Sequence, residues 1–300
     1  IDTLNGHGYG IARTESGFIV VPGALPGETL TIRRLSRKYR SDIGVIECLI
    51  STSSRRIESQ CSYFPGCPGC QLRHLGKEDQ LQFARDQFSK LWQRIMQQKD
   101  GYPELKTCSI DNRARYRTRA ALNPVFTSSG FALGMQSVYP GSPGFNQALC
   151  LNNSNELNLL IRRLNKLLNK NDFLRFRQEE LHHVSIQISA NGMHRVVIYT
   201  LSACARLRQL KPVLTEFAEN NRISLFHGHL ETAGQSHNYL LPELVFGEAD
   251  IIYQSAGQDF HVLPTVWTPV AHGSERVVID LIKNWFSDLA QGRLLELGCG

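Results

Sequence analysis

The sequence predicts a multi-domain chain: a small all-β barrel, an α+β middle domain carrying a cysteine loop, and the opening of a doubly wound α/β domain. Three observations lead there. Short strand-like runs punctuated by Gly and Pro fill the first 57 residues; three of the eight cysteines fall between Cys61 and Cys70; and a long amphipathic pattern after His272 runs into a buried apolar strand with close-set glycines, ending at Gly300.

Composition sets the outer bounds. With 42% hydrophobic and 20% charged residues, the 300-residue chain can bury the cores of two or three domains. No run approaches the ~18 consecutive apolar residues of a membrane span, so a soluble, cytoplasmic protein with no membrane partner is expected, acting as a monomer. The net charge of +6 leans toward an anionic partner. The chain starts at Ile1 and stops within a strand-to-glycine-turn unit, which reads as a fragment with part of its chemistry downstream.

Residues 1–57 carry strand runs at 9–13, 18–21, 29–34 and 43–50, joined by turns rich in Gly and Pro, the pattern of a five-stranded barrel of the nucleic-acid-binding kind. Arg33, Arg34, Arg37, Lys38 and Arg40 crowd one strand and the turn after it, as either a solvated hairpin tip or a phosphate-contacting edge. Next comes Cys61-Ser-Tyr-Phe-Pro-Gly-Cys67-Pro-Gly-Cys70, in which Pro65, Gly66, Pro68 and Gly69 exclude a helix or central strand. Such a loop has no apolar periodicity to fold on, so its thiolates need tying together. Cys150, which closes a second Pro/Gly loop, is the attractive fourth ligand. The spacing fits an iron-sulfur cluster better than zinc, whose structural sites come as two short paired spacings. A zinc knot stays open as the alternative; disulfides rank behind it because four further cysteines would be left over.

Residues 80–97 read as an amphipathic helix with Leu81, Ala84, Phe88, Leu91, Trp92 and Ile95 on one side. Arg113, Arg115, Arg117 and Arg119 alternate at the start of a strand-like run to Phe126. In an extended strand all four would share a face, a costly array of like charge unless acids or a polyanion neutralise it. Phosphate binding is favoured over internal pairing. A helix at 155–170, a hairpin at 183–201 turning on Asn191-Gly192, a helix at 206–219 and a strand at 223–230 complete the middle domain. His227 and His229 alternate on that last strand and read as solvated side chains rather than metal ligands. A strand pair is expected at 246–253. After the helix from His272, Glu296, Gly298 and Gly300 form the turn where a nucleotide-like cofactor sits over the first strand of a doubly wound sheet.

Several of these pieces together resemble the iron-sulfur-containing RNA uracil-C5 methyltransferases, over nearly the whole chain. Gly6-His-Gly-Tyr-Gly-Ile-Ala12 and Val21-Pro-Gly-Ala-Leu-Pro-Gly-Glu28 look like that family's N-terminal TRAM barrel. Cys61, Cys67 and Cys70, followed by Gln71, Leu72, His74, Gln80 and Leu81, look like its cluster motif, with Cys150 where its fourth ligand falls. Tyr116-Arg-Thr-Arg119 resembles the strand after its linking helix, and Leu297-Gly-Cys-Gly300 its cofactor turn.

The resemblance implies a TRAM-like RNA-binding barrel over 1–57, a middle α+β domain with the iron-sulfur loop over 58–258, and the beginning of a methyltransferase domain over 259–300, with helix 78–98 packing on that last domain. It implies S-adenosyl-L-methionine and a [4Fe-4S] cluster as cofactors and ribosomal RNA, favoured over transfer RNA, as partner. RNA contact falls to Arg33, Arg34, Lys38, Arg113, Arg115, Arg117 and Arg119. The nucleophile and base of the reaction are implied to lie beyond Gly300. Two departures stand out: Pro68-Gly69 replaces a pair of glycines, and Val262 and Pro264 stand where the family carries Gln and Asn. Loss of that amide removes a donor and an acceptor, which keeps a non-catalytic RNA-binding iron-sulfur protein as the alternative. A redox protein is a third reading.

Overall fold

A computed structural model of the chain describes residues 1–15, 17–35, 41–96, 114–127, 130–169, 180–201, 205–233, 236–239, 241–255, 257–271 and 274–287. The chain forms two compact units, residues 1–108 with 135–145, and residues 109–134 with 146–300.

The first unit opens with β1 (Thr3–Leu4), β2 (Gly10–Thr14), β3 (Gly17–Val21), β4 (Thr29–Leu35) and β5 (Asp42–Ser51). They form one sheet in the order β1-β2-β3-β5-β4, antiparallel except where β3 meets β5. Alternation decides which residues face in: Ile19 and Val21 of β3 are buried with Ala24, against Leu30 and Ile32 of β4 and Ile46 of β5, while Phe18 stays exposed. Helix α1 (Lys77–Met96) follows, with Glu78 and Asp79 in its first turn and Arg94 in its last, each sign matched to the helix dipole. The apolar spacing predicts an inward face, yet Phe88, Leu91 and Ile95 are 45%, 51% and 64% exposed. That stripe finds no cover among the described residues.

The second unit is built on a sheet of β6 (Arg119–Thr127), β7 (Gly130–Met135), β8 (Phe145–Asn146), β9 (Leu181–Gln187), β10 (His194–Thr200), β11 (Ile223–Ala233), β12 (Ser236–Tyr239) and β13 (Glu243–Phe246). The order is β12-β11-β10-β9-β6-β7-β8, with β13 also on β11. Helix α2 (Asn155–Leu168) and helix α3 (Ala205–Asn220) supply Leu157, Ile161, Leu164, Leu210 and Leu214 to a core shared with Leu122, Val184, Ile186, Val196, Ile198 and Leu225. Each such side chain contributes roughly 1.5–3 kcal/mol through burial. The predicted hairpin at Asn191-Gly192 forms as β9–β10, with Gly192 at φ 78°, and α3 crosses over to the parallel pair β10–β11. The expected strand pair at 246–253 instead resolves into β13 and a separate hairpin, β14 (Ile251–Ser255) with β15 (Gln258–Val262), because Gly257 supplies the positive φ of its turn. Helix α4 (Ser274–Phe286) closes the described chain.

Candidate functional site: a cysteine loop and a basic edge

The cysteine loop is held from several sides within the first unit. At its ends Arg56 bridges to Leu75, and the Ile57 N–H donates to the His74 carbonyl at 2.9 Å. Inside it the Cys67 N–H donates to the Tyr63 carbonyl at 2.8 Å and the Phe64 N–H to that of Cys61 at 3.1 Å. The side chain of Gln71 donates to the Pro68 carbonyl, and Gln80 on α1 reaches back to the carbonyls of Leu72 and Leu75 at 3.1 and 2.9 Å. Tyr63 packs on Phe145 and Phe64 on the fully buried His74, with ring centroids 5.1 and 4.9 Å apart. Close backbone approach explains three glycines: a Cβ on Gly8 would lie 2.7 Å from Leu72, one on Gly23 2.6 Å from Pro65, and one on Gly66 2.8 Å from Phe145.

Under this loop lies a buried ion pair. The carboxylate of Glu28, a residue 1% exposed, accepts from Arg56 Nε and Nη2 at 2.5 and 2.6 Å and from the N–H groups of Leu25 and Ser53 at 2.8 and 3.2 Å. Burial pushes its pKa up, but the Arg56 hydrogen bonds, the two backbone donors and the Arg56 charge outweigh that and leave it below the ordinary value. Burial, with Tyr9 adding to it, raises the Tyr139 phenol to about 12.

Cys61, Cys67 and Cys70 are half-buried and in no disulfide, and Arg73 lies 3.9 Å from the Cys70 sulfur. Cysteine thiols suit a soft metal or an iron-sulfur group by donor chemistry. No set of three His, Cys, Asp or Glu side chains among the described residues is gathered closely enough to hold a single metal ion. Cys150, in the second unit, is half-buried and in no disulfide. It caps the short turn Gln147–Leu149, and its carbonyl accepts from Asn158 Nδ2 at 2.9 Å. Asn153, fully buried, donates to the Gln147 carbonyl and to Asn158 Oδ1, so α2 fixes the turn through a run of asparagines. Sequence reasoning missed this network; its only trace is the unusual Asn152-Asn153-Ser154-Asn155.

The basic residues do not form the single extended face that alternation predicts. The strand begins only at Arg119, and Arg115 has a φ of 57°, which breaks the alternation before it. Arg115 is exposed and donates to Asn155 Oδ1; Arg117 bridges to Asn153 and Ala271; Arg119 donates to the Thr268 carbonyl at 3.3 Å. On the first unit, Arg33 lies 3.8 Å from Glu47 and Arg34 pairs with Asp42, both across β4–β5. Pairs whose guanidinium is exposed are weak and leave the cation available to a polyanion. Lys38, Arg113, and the turn residues Glu296, Gly298 and Gly300 lie outside the described residues.

A further group emerges only in three dimensions. Arg195, 2% exposed, donates to the Leu263 carbonyl at 2.7 Å and to that of Val262, and its guanidinium lies 5.9 Å from the Phe226 ring. Burial draws its pKa down to about 10. It thereby anchors the end of β15, where Val262 is buried and Phe260 is 46% exposed. In the sequence it is one cation inside an apolar strand. His227 hydrogen-bonds Thr200 at 2.9 Å and packs edge-on against His229, with centroids 4.1 Å apart.

The mixed α/β architecture with several sheets is that of a known methyltransferase fold. The Pyrococcus abyssi tRNA (uracil-54, C5)-methyltransferase, solved with S-adenosyl-L-homocysteine, superposes with a TM-score of 0.61 at 18% identity, covering 98% of this chain and 65% of that one. In sequence, the chain is similar to the 23S rRNA (uracil(1939)-C(5))-methyltransferase RlmD of Vibrio campbellii, 26% identical over 307 residues, and to that of Vibrio cholerae, 26% identical over 300; each match spans 100% of this chain and 64% of the relative. An uncharacterized RNA methyltransferase of Listeria monocytogenes is 28% identical over 134 residues, 45% of this chain and 29% of that protein. The chain therefore spans about 64% of the length of the first curated relatives it matches. No family model matches it.

Proposed function

We infer that the protein methylates C5 of uridine in RNA with S-adenosyl-L-methionine as donor, 23S ribosomal RNA being favoured over transfer RNA. The observation that carries this is the match along the entire chain to proteins named as 23S rRNA uracil-C5 methyltransferases. In this reading residues 1–57 are a TRAM-like RNA-binding barrel, 58–258 the middle domain and 259–300 the start of the methyltransferase domain, on which α1 packs. Glu296, Gly298 and Gly300 bind the donor. Uracil C5 is a weak nucleophile, so a cysteine thiolate adds to C6, C5 then displaces the methyl group from the sulfonium, and a base removes the C5 proton as the thiolate leaves. No residue of this chain is assigned either role: both fall beyond Gly300, and Cys299 belongs to the cofactor turn.

Cys61, Cys67 and Cys70, with Cys150 as the fourth ligand, are assigned to a [4Fe-4S] cluster. The thiol donor chemistry, the spacing and the loop's dependence on outside packing support it; when bound, such a cluster would order the loop, since methyl transfer by this route needs no electron. Arg33, Arg34, Lys38, Arg113, Arg115, Arg117 and Arg119 are assigned to RNA phosphates. One observation favours a second reading, a non-catalytic RNA-binding iron-sulfur protein: β15 ends in the buried apolar side chain of Val262, and Val262 and Pro264 stand where the resembled family carries Gln and Asn.

The deciding experiment supplies labelled S-adenosyl-L-methionine and 23S rRNA transcripts to the protein with its natural downstream sequence. Transfer of label to uridine C5 is expected; binding of RNA without transfer would leave the second reading. Anaerobic purification should give about four irons and four sulfides per chain, with iron lost on Cys150→Ser. Zinc without sulfide would remove the cluster assignment.

A further inference from the structure

Between β15 and α4 the chain runs through the second unit as a strap, residues 263–271, which is pinned at several points. Arg195 holds the Leu263 carbonyl at 2.7 Å, and the Val266 N–H closes a turn onto that same oxygen at 3.1 Å. Thr268 is buried, its hydroxyl accepting from Gln187 at 3.0 Å and its carbonyl from Arg119 at 3.3 Å. The Thr118 N–H donates to the Val270 carbonyl at 3.1 Å, and Ala271 bridges to Arg117. Pro264 and Pro269 stiffen what remains.

Trp267 sits in the middle of this strap and is 69% exposed. Thr268 beside it is buried and hydrogen-bonded through both hydroxyl and carbonyl, which fixes the backbone that carries the indole. Arg119 reaches the strap with its guanidinium and Arg117 with its backbone, and Arg115, two residues before Arg117, is exposed. An exposed aromatic face next to a basic segment, with the Arg119 guanidinium on the neighbouring Thr268 carbonyl, is what unstacked bases on a phosphate backbone recognise.

We propose that Trp267 is a stacking platform for one unpaired base of a single-stranded RNA segment whose phosphates run along Arg115, Arg117 and Arg119. The proposal rests on the RNA-directed reading above and adds a contact that charge alone does not supply. Base stacking tolerates any base, so Trp267 contributes affinity and the placement of the strand rather than sequence choice.

The test uses the protein with its natural downstream sequence and a short fluorescein-labelled oligouridylate. Trp267→Ala should weaken binding roughly 5- to 150-fold, Trp267→Phe should restore most of it, and the dependence of affinity on salt should stay that of the parent because no charge is removed. In the RNA-free protein, iodide should quench a fluorescence component that Trp267→Phe removes, and the oligonucleotide should protect it. Two results would overturn the proposal: unchanged affinity in Trp267→Ala, or an indole already shielded from iodide without RNA, which would mean that another part of the chain covers it. Failure of the parent protein to bind any RNA would instead remove the functional reading on which the proposal stands.

Discussion

The Glu28 carboxylate accepts four hydrogen bonds from three residues, and Arg56 is its only charged partner among the described residues. Breaking a buried pair leaves an uncompensated charge, so Glu28→Gln should cost about 3 kcal/mol in urea unfolding of the first unit. Its folded pKa is below the unfolded value, so the stability it supplies is fully present above the ordinary carboxylate range and is lost as pH falls through the folded value. Glu28→Gln should flatten the acid limb of the stability curve; an unaltered limb would mean that other carboxylates govern it. The sequence shows Glu28 only as the end of a glycine-rich turn, because the partner that gives it meaning is 28 residues away.

At the scale of an element, the β9-β10-β11 sheet buries histidines in neutral form. Burial, reinforced by His182, lowers His183 to about 4, where it stacks on Tyr199 at 4.3 Å; burial, reinforced by His229, lowers His227 to about 4. An unfolded histidine titrates near 6.5. The unfolded chain therefore binds more protons between these values, and the sheet should lose stability as pH falls from about 6.5 to about 4. Replacing His183 with Phe and His227 with Gln should remove much of that slope, as read by urea melts at several pH values. The Asn191-Gly192 turn revealed the β9–β10 hairpin, and the pattern at 155–170 the helix α2. It did not reveal that His227 is half-buried against Thr200, because alternation along one strand says nothing about what covers its second face.

Across the first unit as a whole, the sheet and the cysteine loop meet where Gly23 faces Pro65. Gly23 and Gly27 share almost the same backbone, φ 81° and 82°, but a Cβ at Gly27 would meet nothing within 4 Å. Gly27→Ala should therefore cost about 1 kcal/mol for its left-handed conformation alone. Gly23→Ala should cost about 3 kcal/mol, since the overpacking at Pro65 adds to that strain. Equal losses in denaturant melts would show that the contact yields freely. Among the described residues no helix is long and apolar enough to cross a membrane.

The sequence by itself determined the short strands of the first sheet, the helices, the β9–β10 hairpin and the set of cysteines, since period, turn residues and spacing are local properties of the chain. It also supplied a resemblance to RNA uracil-C5 methyltransferases, and the relatives matched along the whole of this chain carry that name. Tertiary structure alone decided where Arg119 begins its strand, that Arg195 reaches 67 and 68 residues along the chain to hold Val262 and Leu263, and that Trp267 faces water while Thr268 beside it is buried. Each of these depends on a carbonyl or a ring brought near by the folding of distant segments, and no local pattern encodes such a partner.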